Sequence, residues 1–232
     1  KAKKNLRSIS MLWQNVEQFT VKRDFVNTGN IMDLKNLYGK KFSISGRNSG
    51  SRISAETIMN SLGINFDKMD VQYLGYTPSS IALQNGKIQG MNTPSGPPTP
   101  AVTNVFTNIG ANNIKVLEFN EKNLKDINNN YPVWNSYIIK AGTYVNQLND
   151  IHTIAQPNLL VVTKETPMQT VYLLTKAIYE NLPFLNTVHK ATKVMSLQKA
   201  IVGLPMPLHP GALKFYKEKG IKIPSSLIPK EF

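Results

Sequence analysis

The sequence predicts an α/β fold in which strands alternate with helices, followed by a separate helical unit. Between residues 40 and 120, short alternating or β-branched segments are followed by segments whose apolar residues recur every three or four positions. Such alternation is typical of βαβ units and of a largely parallel sheet. After Pro167 the apolar positions form a helical stripe through residues 171–182, so we expect a second packing unit there.

The strands are predicted from short β-branched, aromatic or alternating segments. Residues 6–12 and 16–21, interrupted near Gln14, are interpreted as a hairpin or as two consecutive strands. Pro157 is expected to separate the last two strands, because proline cannot donate to a strand ladder. The remaining predicted strands are residues 42–45, 71–74, 87–91, 114–119, 134–139, 151–154 and 158–162.

The helices are predicted from apolar spacing and from their start and stop signals. A hydroxyl residue followed by proline is a good helix start, and Thr77-Pro78 and Thr99-Pro100 both have this form. Gly63 and Gly86 stand where two helices are expected to stop. The predicted helices are residues 31–37, 53–62, 77–85 and 101–109, the polar segment 121–129 as a helix or loop, and most of the chain after residue 168.

The segment between the predicted strand at residues 42–45 and the next helix has the character of an anion-binding loop. Residues 46–52 are Gly-Arg-Asn-Ser-Gly-Ser-Arg, rich in residues that tolerate tight turns. A strand, a small-residue loop and a helix together direct free backbone N–H groups and the positive helix end at one place. Arg47 and Arg52 add positive charge on either side. The simpler alternative is an ordinary connection with a serine cap.

A second loop, residues 92–100, contains four prolines in nine residues and is expected to be stiff. In open α/β sheets ligands bind at the carboxyl ends of the strands, where both loops are predicted to lie. Tyrosines could add aromatic walls, although ordinary packing is the simpler interpretation for each one. They are Tyr73, Tyr76, Tyr131, Tyr137 and Tyr144.

The composition is that of a globular protein with a net charge of +13. Lys and Arg outnumber Asp and Glu by six to two in residues 1–24 and by ten to four in residues 164–232. Most of these cations stand singly, and only Lys1, Lys3, Lys4 and Arg7 cluster, so we expect no nucleic-acid partner. The chain has no cysteine and no apolar run of membrane-spanning length.

Signatures of catalysis and of metal binding are missing from the sequence. The three histidines, His152, His189 and His209, lack the helical spacing of a metal site. Residues 46–50 match neither a nucleophile elbow nor a nucleotide P-loop. Hydroxyls, N–H donors and aromatic rings without acid–base groups suit holding a small anion rather than transforming it. We therefore expect no enzymatic activity, no metal and no cofactor.

Several segments, in order along nearly the whole chain, resemble the TAXI family, the substrate-binding proteins of TRAP transporters. The strand, Ser-Gly-Ser loop and helix of residues 37–62 resemble the entry to that family's second lobe. Residues 93–101 are similar to its Gly-x-Pro-x-Pro-Ala loop. The other similar segments are residues 73–91, Ala-Gly-Thr-Tyr at 141–144, Pro-Asn-Leu-Leu-Val-Val at 157–162, and Leu-Pro-Met-Pro-Leu-His-Pro-Gly at 204–211.

The resemblance implies a two-lobed periplasmic-binding fold of the second type. Lobe two would be residues 25–150, and lobe one would be residues 1–24 with 151–232. The family's first segment, with a ligand-contacting Thr-Gly-x-x-Gly-Gly loop, has no counterpart in this sequence. The chain also opens at Lys1 without a signal segment. We therefore expect lobe one to be incomplete.

The resemblance also implies a function. It predicts a monomeric periplasmic or extracytoplasmic protein that captures a small organic anion, a dicarboxylate or an amino acid such as glutamate, for a TRAP-type membrane permease. The alternative is a surface-exposed or secreted interaction protein or antigen, with basic flanks that bind acidic partners. The expected ligand-binding residues are Arg47 (or Arg52), Ser49, Gly50, Ser51, Thr93, Ser95, Gly96, Tyr137 and Tyr144.

Overall fold

The computed structural model describes residues 5–129 and 131–230, so Lys1, Lys3 and Lys4 of the basic cluster lie outside the described part. The chain divides into two compact units. Unit 1 comprises Lys1–Gln14 with Pro157–Phe232, and unit 2 comprises Asn15–Gln156. Both units contain strands and helices, which confirms the predicted α/β class.

Strands and α-helices are numbered along the chain. The strands are β1 (Leu6–Val16), β2 (Phe19–Lys22), β3 (Lys41–Ser43), β4 (Asp70–Gln72), β5 (Gly90–Asn92), β6 (Ile114–Val116), β7 (Asn135–Ile139) and β8 (Ile151–Thr163). The helices are α1 (Gly50–Ser61), α2 (Tyr76–Gln84), α3 (Pro100–Asn108), α4 (Glu121–Asn128), α5 (Met168–Glu180), α6 (Leu182–Val188) and α7 (Pro210–Glu218). Short 3-10 helices include Ile31–Leu37, Lys190–Val194 and Ser225–Leu227.

Unit 2 is built on a five-stranded sheet in the order β4-β3-β5-β2-β6. β3 is parallel to β4 and β5, whereas β2 is antiparallel to both β5 and β6. Four strands thus run in one direction, which confirms the largely parallel sheet. Helices α1, α2, α3 and α4 bury apolar side chains in two clusters of this unit, which include Phe42 and Ile58 in one and Val105 and Val116 in the other.

Unit 1 is dominated by the packing of α5 against α7. Its core contains Ile9, Val171, Phe215 and Tyr216. Gly211 allows the two helices to approach closely, since a Cβ at this position would lie 2.3 Å from the carbonyl oxygen of Met168. Glycine is therefore required at this contact.

Of the two interpretations of the first apolar segments, two consecutive strands is confirmed and the hairpin is wrong. β1 pairs with β8, which also pairs with β7, whereas β2 lies in the other sheet between β5 and β6. The two strands are therefore consecutive but do not form a hairpin. Pro157 does not interrupt β8 either, which continues through it as one strand. Proline needs only a position where its missing N–H is not required by the ladder.

Two predicted helix starts also move. α1 begins at Gly50 rather than Ile53, because the Ser49 side chain accepts a hydrogen bond from the Arg52 N–H at 3.2 Å and so caps the helix earlier. α2 begins at Tyr76 after Gly75, which places Pro78 inside its first turn. The Thr99-Pro100 start of α3 is confirmed.

Candidate functional site

The loop between β3 and α1 ends in backbone amides that have no hydrogen-bond partner among the described residues. Ser45 adopts a left-handed conformation (φ 77°), and its hydroxyl donates to the Asn92 carbonyl at 3.1 Å. Ser49 caps α1, as described above. Among the described residues, the N–H groups of Gly50 and Ser51 donate no hydrogen bond. These amides belong to the positive end of a helix and are available to an acceptor.

Buried polar side chains hold the proline-rich loop, residues 92–100, in place from the core side. The Gln18 amide nitrogen reaches the carbonyls of Thr93 (3.3 Å) and Ser95 (3.2 Å) and the hydroxyl of Thr99 (2.7 Å). The Tyr144 hydroxyl donates to the Gln18 side-chain oxygen and accepts from the Thr99 N–H at 3.2 Å. Burial raises the pKa of Tyr144 to about 12, so this hydroxyl stays protonated at neutral pH.

Tyr76 joins the two loops. Its hydroxyl donates to the Pro94 carbonyl at 2.7 Å and lies 2.7 Å from the Ser51 hydroxyl. Because the Tyr76 hydrogen is used by Pro94, Ser51 is the donor in the second bond. The loop before α1 and the proline-rich loop are therefore connected side by side within unit 2.

A cavity of about 460 Å³ opens beside this junction, wholly within unit 2. Gly50, Ser51 and Pro94 come from the two loops. The other lining residues are Asn15, Ile53, Ser54, Thr57, Tyr131, Val133, Trp134 and Gln156. Its volume lies within the range of small-molecule sites.

A buried carboxyl group lies behind one wall of the cavity. Glu17 is fully buried, and its two carboxyl oxygens accept hydrogen bonds from Ser54 and, at 3.0 Å, from the Asn92 amide. Burial raises its pKa to about 7, and the hydrogen bonds from Ser54 and Asn92 oppose this rise. Gln156 donates to the Ser54 hydroxyl at 3.2 Å, so a chain of hydrogen bonds links the cavity wall to Glu17.

The same region contains polar atoms that are buried without a partner. The indole Nε1–H of Trp134 lies close enough to Glu17 to lower the pKa of its carboxyl, yet it makes no hydrogen bond of normal geometry to a described residue. The Asn92 side-chain oxygen and the Thr93 hydroxyl are also unpaired within the described part of the chain. Such groups are uncommon in folded proteins, so their concentration here marks a polar site.

Of the expected ligand-binding residues, Gly50 and Ser51 line this cavity, and so does Tyr131, one of the tyrosines named as a possible aromatic wall. Ser49 supports them as the helix cap. Thr93 and Gly96 are buried and Ser95 is partly buried, and their loop reaches the cavity through Pro94 instead. Arg52 forms an ion pair with Glu56 at 3.1 Å on the surface of α1.

Three of the expected ligand-binding residues have other roles and do not line this cavity. Tyr144 is a core residue, 2% exposed and stacked on Phe106 with ring centres 4.9 Å apart, so it supports the proline-rich loop from inside. Tyr137 lines a different cavity of about 550 Å³, together with Glu118 and His152. The exposed Arg47 guanidinium lies 4.2 Å from the centre of the Tyr73 ring, a cation–π contact that holds it outside the lining.

Sequence reasoning missed Glu17, Trp134 and the connecting role of Tyr76. Glu17 stands between two apolar strands, and an acid at such a position is the one local signal that was present. The described residues include no group of three or more His, Cys, Asp or Glu side chains arranged to hold a metal ion. Across the same residues, no helix is both long and apolar enough to cross a membrane.

Comparison with known families gives a match over almost the whole chain. The model of the NMT1-like family matches residues 1–220. This chain belongs to the NMT1-like family. Among solved structures, this NMT1-like chain is similar to the periplasmic aliphatic sulphonate binding protein SsuA from Escherichia coli, with 13% identity and a TM-score of 0.38 over 82% of this chain and 48% of that chain.

Two further solved structures are similar to this NMT1-like chain. A TctC solute binding protein from Polaromonas has 13% identity and a TM-score of 0.40 over 82% of this chain and 58% of that chain. A putative L-cystine ABC transporter protein from Listeria monocytogenes has 14% identity and a TM-score of 0.42, covering 84% and 67%. The NMT1-like chain thus spans about half to two thirds of the length of these proteins, and the likeness is one of fold.

Proposed function

We propose that this chain is an extracytoplasmic solute-binding protein that captures a small organic anion for a membrane transporter. The observation that carries the proposal is the junction at Tyr76. It connects two loops beside a cavity that Gly50 and Ser51 line. The backbone amides of these two residues have no hydrogen-bond partner among the described residues. Backbone N–H groups at the start of a helix are a favourable place for an anionic oxygen.

The transporter class and the ligand class come from the TAXI resemblance. It supports a TRAP-type permease as the membrane partner and a dicarboxylate or an amino acid such as glutamate as the solute. By the same template, residues 25–150 act as lobe two, and residues 1–24 with 151–232 act as lobe one. Binding rather than chemistry fits the cavity, because its lining offers hydrogen-bond donors, and the serine that pairs with a carboxyl group, Ser54, is only 4% exposed.

Calorimetric titration of the complete chain with carboxylates and amino acids tests the proposal. Ser51→Ala keeps the backbone amide but removes the hydrogen bond that ties the start of α1 to Tyr76, so binding is expected to weaken about fivefold, since such a bond contributes about 1 kcal/mol. Thr107→Ala, which removes an exposed hydroxyl on α3, is the matched control and should leave the affinity unchanged. Lack of binding to every compound, combined with salt-sensitive binding to heparin or anionic vesicles, would instead favour the interaction protein with basic flanks.

A further inference from the structure

The described lining of the cavity beside Ser51 offers donors for one anionic group and no cation for a second. None of the described residues that line it is Lys, Arg, His, Asp or Glu. The donors suited to an anion are the amides of Gly50 and Ser51, at one end of α1. The Trp134 indole, 5% exposed and part of the same wall, has its N–H close to the Glu17 carboxyl and is not counted among these donors.

A second carboxylate would meet an unfavourable environment in this cavity. Placed against this lining, it would lose part of its water without gaining a cation. Glu17, joined to the wall through Ser54, would add repulsion whenever it is ionised. A short dicarboxylate, one of the solutes that the TAXI resemblance implies, is therefore poorly matched to these residues, and on this point the cavity and the resemblance disagree.

The rest of the lining is apolar and exposed. Ile53 is 58% exposed, Tyr131 is 55% exposed and Val133 is 44% exposed, and all three line the cavity. Large apolar side chains that remain exposed around a cavity are typical of a ligand-binding groove. They supply a surface against which hydrocarbon can pack.

The groove extends beyond the cavity, where its lining becomes mainly polar. A second depression of about 510 Å³ lies along α1 and shares Ile53, Thr57 and Tyr131 with the first. Its outer lining is polar and consists of Glu56, Asn60 and Ser61. The two depressions together have room for an elongated molecule that runs from the start of α1 past Tyr131.

From these features, and resting on the proposed function, we propose that the ligand is an organic monoanion with an extended apolar body. Its anionic oxygens accept hydrogen bonds from the Gly50 and Ser51 amides. Its hydrocarbon or aromatic body lies against Ile53, Val133 and Tyr131. Substrate choice is then determined by the absence of a second charge and by the length of the apolar body.

Calorimetry on the complete chain with butanoate, hexanoate and octanoate, alongside succinate and glutarate, tests this proposal. Burial of one methylene is worth about 0.8 kcal/mol, so affinity should rise by up to about fourfold per added carbon until the groove is filled. Each dicarboxylate should bind more weakly than the monocarboxylate of similar length, because its second charge has no cation.

Variants identify the apolar wall. Ile53→Ser and Val133→Ser, both at exposed positions, should flatten the dependence of affinity on chain length, so that octanoate loses more affinity than butanoate. Ile81→Ser is the matched control, because Ile81 is 51% exposed on α2 and does not line the cavity. It should leave the chain-length dependence intact.

The two proposals fail in different ways. Binding of dicarboxylates or of amino acids in preference to monocarboxylates, or an affinity independent of chain length, would overturn the monoanion assignment and leave the solute-binding function standing. Failure of every compound to bind would overturn both proposals.

Discussion

Glu17 is a carboxyl group whose ionisation is linked to folding. In the folded chain its pKa is raised by burial from 4.5 to about 7. Between these pH values the folded state therefore binds more protons than the unfolded state. By linkage, the stability that Glu17 contributes is present at low pH and is lost as the pH rises through this window.

We expect Glu17→Gln to remove this dependence. The wild-type free energy of unfolding should fall by roughly 2–3 kcal/mol more than that of the variant between pH 5 and pH 8. The Gln side chain is accommodated if the Asn92 amide turns over, since the Asn92 side-chain oxygen lacks a partner among the described residues and becomes an acceptor. Urea unfolding of both proteins at the two pH values measures the difference.

Glu56→Gln is the control for this measurement. Glu56 is paired with Arg52 on the surface of α1, and its replacement should leave the pH dependence almost unchanged. A wild-type chain and a Glu17→Gln variant whose stabilities change in parallel from pH 5 to pH 8 would show that the carboxyl is not held protonated by its surroundings.

The element that shapes the site from inside is the proline-rich loop, and Tyr144 is its main support. Tyr144→Phe leaves the Thr99 N–H and the Gln18 side-chain oxygen without their buried partner. An unsatisfied buried group costs about 1–3 kcal/mol, so the variant should lose stability by this amount. It should also lose ligand affinity several-fold, because Pro94 and Tyr76 are then held less firmly.

Tyr137→Phe is the matched control, since the Tyr137 hydroxyl makes no hydrogen bond within the described part and its ring faces another cavity. It should change neither stability nor affinity appreciably. Thermal unfolding and calorimetry on both variants distinguish the two roles of Tyr144. A loss of affinity in Tyr144→Phe with unchanged stability would indicate direct ligand contact instead of support.

The elements that could be predicted from the sequence are those formed by local interactions. α3 followed from Thr99-Pro100 and the helical spacing, and the loop before α1 followed from its Gly and Ser residues. The pairing of β1 with β8 could not be predicted, because it joins segments more than a hundred residues apart in sequence. Local pattern contains no information on such a choice of partner.

The same distinction applies to the site. The amides of Gly50 and Ser51 were predicted because a helix start provides them locally. The burial of Tyr144 and the displacement of Tyr137 depend on which residues the fold packs around each ring. For the same reason the three-residue contact of Ser51, Tyr76 and Pro94 emerged only from the structure.

At the scale of the whole molecule, the close contact at Gly211 and the ligand cavity belong to different units. The contact between Gly211 and α5 lies wholly in unit 1, and the cavity lies wholly in unit 2. Gly211→Ala should therefore lower the stability of unit 1 by about 2–3 kcal/mol through overpacking. The affinity of the folded protein for its ligand should stay within about twofold of the wild-type value.

Chemical denaturation with and without ligand measures both quantities. Gly75→Ala is the control, because its Cβ would meet only the Pro78 side chain, at an ordinary 3.8 Å. If the ligand affinity of Gly211→Ala declined together with its stability, the two units would not be energetically independent.

The position of Glu17 behind the cavity wall also has a thermochemical consequence. An anion placed next to Ser54 raises the proton affinity of Glu17 further, so that ligand binding near pH 7 takes up part of a proton from the medium. The heat released on binding then includes the ionisation heat of the buffer. The binding enthalpies measured in Tris and in phosphate should therefore differ for the wild-type chain. For Glu17→Gln the two enthalpies should agree.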